Sequence, residues 1–351
     1  MKESKRIVYP DILRIISIFA VVTIHIVGET WSKTDVRTTE WLTLTIYDIF
    51  SRFSVPVFVM ISGMFMLNPD KQKPIKDLYS KNILRICTSF IFWSVIYLVL
   101  RIFTQNSYNG KSGFTLIKAC LGDLISGEYH MWFMLMIVGL YICTPILRKV
   151  AENKKLTEYY LIIWFIFAIL PTFFNSVPLI NTLNNSLKRL YLPVCTYYSG
   201  YYILGCYLNT FPLKKRFKTI LYVTGGMSIA INFTLTVILS YKNSKCVSDY
   251  LEYLMPTTAL FSAAVFVFFK SAFENKKIST KSRFVISRLS VDSFGIYLCH
   301  LMIIKIFSFY NIGINIPAII RVPLFSVIVF LLSLTISSIL NRIPVLKKYI
   351  V

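Results

Sequence analysis

Apolar residues along this chain do not alternate with polar ones. They come in runs of about twenty, separated by short polar segments, from one end of the sequence to the other. Runs of that length predict membrane-crossing helices: about 20 residues rising ~1.5 Å each span the ~30 Å hydrocarbon layer, and a helix satisfies its own backbone there. A β-barrel would instead show short segments of alternating character. Ten spans are predicted, at about 8–29, 41–67, 84–104, 129–147, 158–175, 194–211, 219–241, 253–272, 291–310 and 322–340. The sixth, containing "YYSGYYILGCY", is rich in Tyr and Gly and reads as tilted or broken. Within the gap 105–128, "GFTLIKACLGDLI" reads as a short amphipathic helix on the outer surface. The expected fold class is therefore all-α, a polytopic membrane helix bundle. Residues 1–351 read as a single membrane domain with no fused soluble domain.

Composition agrees with that pattern. Hydrophobic residues make up 56% of the 351, and the mean hydropathy is +0.63. The net charge of +22 would suggest nucleic acid in a soluble protein, but here 25 of the 38 Lys and Arg gather in alternate loops and end segments. That bias places both termini in the cytoplasm and excludes nucleic acid as a partner, leaving membrane lipids. The seven cysteines are odd in number and irregular in spacing, and most fall inside apolar runs. They read as small core residues rather than a disulfide or zinc framework. The first run lacks a small-residue cleavage site after it and reads as a retained span, not a signal peptide.

The first span carries the candidate chemistry. In "DILRIISIFAVVTIHIVGE" (11–29) an aspartate, an arginine and a histidine interrupt an otherwise apolar helix. Eleven residues separate Arg14 from His25, about 1100° of rotation, so both point the same way, roughly 16 Å apart along the axis. Asp11 lies three residues before Arg14, within pairing reach. Each charge placed in hydrocarbon costs about 2.5–3.5 kcal/mol even on a lenient scale, so such groups face a bundle interior or a wet cavity. The bland alternative is an interfacial Asp11–Arg14 pair, with His25 hydrogen-bonded to a neighbouring helix.

A group transfer to a hydroxyl needs a base to take the proton or a nucleophile to carry the group, and few residues here could serve. The histidines are His25, His130 and His300. No Gly-x-Ser-x-Gly elbow or His-x4-Asp pattern occurs. His130 opens the fourth span beside Trp132, whose ring could stack on a sugar; the alternative is an interfacial aromatic belt. His300 falls near mid-membrane and reads equally as a core histidine bonded across helices. No carboxylate cluster accompanies the histidines, so no metal is expected. Arg52, with Asp48, lies in the outer half of the second span, and Lys81 and Arg85 lie at a cytoplasmic helix end, where ordinary positive-inside topology would also put them.

Five segments together carry a resemblance. The first span has the form D-x-L-R…H. It is followed in order by "SRFSVPVFVMISGMFML" (51–67), "LRICTSFIFWSVIYL" (84–98), "YHMWFMLMIVGLYICTPIL" (129–147) and "SFGIYLCHLMII" (293–304). In this the chain resembles the acyltransferase 3 family of integral membrane enzymes, which move acyl groups onto carbohydrates and other envelope molecules. The resemblance implies an O-acyltransferase, most simply an O-acetyltransferase, of the bacterial cytoplasmic membrane. Its donor would be cytoplasmic acetyl-CoA and its acceptor a glycan or lipid-linked glycan. It implies His25 as general base or covalent acyl carrier, Arg14 beside it in catalysis and donor binding, and Lys81 and Arg85 as further donor contacts. His130, Trp132 and Arg52 would then face the acceptor, with Asp11 and His300 as additional polar site candidates. The family's Arg-x-x-Arg at the start of the third span is altered: Arg85 is present, but the first position is Asn82, with Lys81 beside it. Some relatives pass the acyl group to an extracytoplasmic domain, so a separate acyl-accepting partner would fit as well as direct transfer. A transporter or flippase of lipid-linked sugars suits the composition equally; a regulatory membrane domain without catalysis is a third reading, against which counts the expectation that no soluble enzyme is fused. Internal repeats, common in transporters, are not evident.

Overall fold

The computed structural model describes residues 7–104, 108, 110–174 and 197–351. Among these residues nine helical segments are long and apolar enough to cross a membrane. The helices divide between two compact units, one made of Met1–Gln72, Thr144–Val291 and Pro317–Ser326, the other of Lys73–Cys143, Asp292–Ile316 and Val327–Val351.

The first unit opens with α1 (Tyr9–Trp31), whose Pro10 sits in the first turn, where a missing N–H costs nothing. Its predicted successor, 41–67, is two helices, α2 (Thr39–Ser51) and α3 (Ser54–Met66), broken at Arg52–Phe53. Pro56 explains the break: it has no N–H for the Arg52 carbonyl, and its ring clashes with that carbonyl. Thr38 caps α2, its hydroxyl accepting from the Trp41 amide at 3.2 Å. In the second unit α4 (Ile75–Thr104) contains a π-helical turn, Leu78–Ile83, and is followed by α5 (Gly113–Ser126). Helix α6 (Trp132–Ala151) follows a 3-10 turn at Tyr129–Met131.

Back in the first unit, α7 (Lys154–Phe173) precedes α8 (Ser199–Thr210). The sixth predicted span, 194–211, corresponds to α8; its first residues, and Cys195, lie outside the described residues. At twelve residues α8 extends about 18 Å, less than a bilayer crossing. It is held along its length and at its C-terminal end. A side chain on Gly63 would collide with the Tyr202 backbone, and one on Gly205 with the Met60 backbone, so α3 and α8 touch main chain to main chain. Lys270 donates to the carbonyls of Leu208 (3.0 Å) and Asn209 (2.7 Å), satisfying the helix C-terminus. Tyr9 donates to Asn209 Oδ1 at 2.5 Å. Helices α9 (Lys215–Asn243) and α10 (Pro256–Phe273) pack together, with a buried Thr257–Asn232 hydrogen bond of 2.5 Å.

Helices α11 (Thr280–Phe309), α12 (Ala318–Leu340) and α13 (Pro344–Tyr349) complete the chain. Within the second unit, Asp292 is buried and fully engaged: Asn341 Nδ2 (2.7 Å) and the Ser338 hydroxyl (2.9 Å) both donate to its carboxylate. Gly295 lets α11 lie directly on Ser337. The Asp292 carboxylate is thus paired across helices, as an apolar surrounding demands.

Candidate active site

The polar line on α1 is built from the bottom up by local spacing and one distant clasp. Asp11 is buried, accepts from the Ser290 hydroxyl at 2.7 Å and lies 3.5 Å from the Arg14 guanidinium. Arg14 is partly exposed and sits over the Phe65 ring, 5.0 Å from its centroid. The cation is therefore oriented by a carboxylate on one side and an aromatic face on the other. His25 is partly buried on the same helical face. Between them, Ile18 and Val21 occupy that face and are both buried. The line is thus polar at its two ends and apolar in its middle.

Also in the first unit, Arg52 stands at the α2–α3 break. Its guanidinium donates twice to Asp48 Oδ2 (3.0 and 2.6 Å), which is buried, and lies 5.3 Å from the Tyr253 ring centroid. Tyr201 donates to the Tyr253 carbonyl at 2.6 Å. Arg148, unremarked in the sequence, is buried and donates to the Met66 carbonyl at 3.0 Å, capping α3.

The second unit brings His130 and His300 together. Their ring centroids are 5.3 Å apart and perpendicular, and they are only 2% and 0% exposed. Tyr97 and Tyr297 each place a ring 5.3 Å from His130. Tyr297 donates to the His130 carbonyl (2.6 Å) and Tyr97 to that of Leu298 (2.8 Å). His300 Nδ1 lies 3.1 Å from the Ile296 carbonyl, which fixes the proton on that nitrogen. Trp132 has a different setting from His130, being 39% exposed. Beside this cage lies a cluster that no local pattern announces. Glu128, 4% exposed, pairs with Arg101 (3.0 Å) and Lys305 (3.3 Å), while Arg101 also reaches Asp123 (2.7 Å). Tyr108 donates to Asp123 as well. Burial alone would raise the Asp123 carboxyl, but the Tyr108 and Arg101 hydrogen bonds outweigh it and hold it below the usual range.

Of the predicted donor contacts, Lys81 is exposed and pairs with Asp77 at 2.9 Å, one turn away. Arg85 is half-buried over the Phe294 ring (5.5 Å) and donates to the Val351 backbone oxygen. Among the described residues no three His, Cys, Asp or Glu side chains gather in a metal-binding group.

Spanning helices with ionizable side chains turned inward define a polytopic membrane protein organised around polar sites. A family model described as an acyltransferase domain, that of acyltransferase 3, matches residues 7–342, and the chain belongs to this family of membrane acyltransferases. No curated protein and no solved structure matches it.

Proposed function

We propose that the protein is an O-acetyltransferase of the bacterial cytoplasmic membrane. It would move an acetyl group from cytoplasmic acetyl-CoA to a hydroxyl of an extracytoplasmic or lipid-linked glycan, in the manner of the stand-alone enzymes that acetylate enterobacterial common antigen. One observation supports this most: in a chain matched along nearly its whole length by an acyltransferase domain, α1 carries Arg14 and His25 on one face, with Arg14 held by the buried Asp11. In this reading Arg14 meets donor phosphate or thioester oxygen. His25 removes the acceptor hydroxyl proton as the new C–O bond forms and the C–S bond breaks, the proton passing to the departing thiolate. Alternatively the His25 ring nitrogen takes the acetyl group first and delivers it to the hydroxyl; trapping an acetylated histidine separates the two. Lys81 and Arg85 contribute to donor binding, and Arg52 and Trp132 to the acceptor side, with no metal required; His130, sealed among Tyr97, Tyr297 and His300, supports that side by packing rather than by contact. Direct transfer to the glycan is the simpler course; a separate extracytoplasmic acyl-accepting partner would use the same chemistry.

Mass spectrometry of envelope glycans from cells with and without the gene tests the reading. An acetyl-sized mass loss restored by the parent gene but not by His25→Ala supports it. Unchanged acylation with glycan export lost would make the protein a flippase instead.

A further inference from the structure

Helix α5 has three distinct flanks. Leu116, Ala119, Cys120, Asp123 and Leu124 are partly buried against the protein, and the helix packs on α4. Phe114, Ile117, Leu121 and Ile125 form a second flank, aligned within about 80° at ~100° per residue, and all are exposed, Phe114 at 78% and Ile125 at 76%. Thr115, Gly122 and Ser126 form the third, small and polar, and are exposed too. A helix packed into a protein would bury its apolar flank, and one in free solution would not carry it. A helix lying in the plane of a water–hydrocarbon boundary needs all three. Helix α4, on which it rests, is long and apolar enough to span a membrane and exposes Ile91, Val95, Ile102 and Phe103, an apolar surface of the kind that meets acyl chains.

We propose that α5 is a lipid-seated brace: its Phe114–Ile117–Leu121–Ile125 flank is buried in the headgroup–acyl boundary, and its opposite flank holds Arg101 through Asp123. Arg101 is the same guanidinium that pairs with the buried Glu128 (3.0 Å), so the lipid surface fixes one side of the Glu128 cluster. The proposal does not depend on the reaction assigned above.

Full-length protein in bilayers, carrying Phe114→Trp or Leu121→Trp, tests it by quenching with lipids brominated either near the headgroup or deep in the acyl chain. The added tryptophan emission is expected to be quenched by the shallow bromine, less by the deep one, and Gly122→Trp by neither. Both new tryptophans replace exposed side chains, so each position checks the other against misfolding. Absence of added quenching at both positions would overturn the proposal, whether the flank faces water or a second protein surface. Quenching only by the deep bromine would overturn it too, since α5 would then be a submerged segment.

Discussion

In the first unit His25 stands partly buried on α1, with Arg14 in register at the far end of the same face. In the second, His130 and His300 lie ring against ring inside a cage of tyrosines, almost without exposure. A group that must meet a substrate needs reach; a ring packed on every side contributes order instead. The contrast extends to the charges. Arg14 takes its partner from three residues away, whereas Glu128 gathers Arg101 and Lys305 from separate helices. The local pair is cheap and adjustable, and the distant one is buried and committed. In the reaction proposed above, the same residue types would serve reactivity in one unit and architecture in the other.

The largest effect is expected where that commitment is broken. Glu128→Ala leaves Arg101 and Lys305 without their shared carboxylate, and losing one member of a buried ion pair costs about 3–5 kcal/mol. Thermal unfolding of the purified protein should show a marked drop, with Glu128→Gln intermediate. Arg14→Ala should act on donor use rather than on folding: a roughly tenfold rise in KM for acetyl-CoA, about 1.4 kcal/mol, with little change in melting temperature. Equal melting losses for these two variants would erase the distinction between the units.

Smaller effects follow. Asp11→Asn keeps an acceptor for the Ser290 hydroxyl but removes the charge facing Arg14. A cost of about 1 kcal/mol is expected, because Arg14 is partly exposed and screened. The smallest concerns acid. The folded Asp123 carboxyl titrates below its ordinary range, so its contribution is fully present above that range and is lost as pH falls through the lowered value. Amide protection in α5, taken relative to intrinsic exchange at each pH, should therefore be constant between neutral and mildly acidic pH and fall only in stronger acid. Asp123→Asn should remove that dependence.

The helical class and most of the span positions were legible because apolar run length directly reports a crossing helix. The register of Asp11, Arg14 and His25 was legible for the same kind of reason: 3.6 residues per turn is a property of the local chain. The break at Arg52–Phe53 had its signal in Pro56, which a hydropathy reading of 41–67 passes over. The Glu128 cluster had none. Arg101, Asp123 and Lys305 are placed by tertiary packing, and each looks in sequence like an ordinary charge at a helix end. Likewise nothing near Arg85 foretold its bond to the Val351 backbone oxygen.

The central claim, that the reacting histidine is the one on α1, is tested most directly by acetyl transfer from labelled acetyl-CoA in proteoliposomes of the purified protein, supplied with envelope glycan. His25→Ala should lose transfer by roughly 10²–10⁴-fold while melting like the parent, and His300→Gln should keep transfer within a few fold while melting lower. Parental transfer by His25→Ala, or abolished transfer by an intact and stable His300→Gln, would contradict the account.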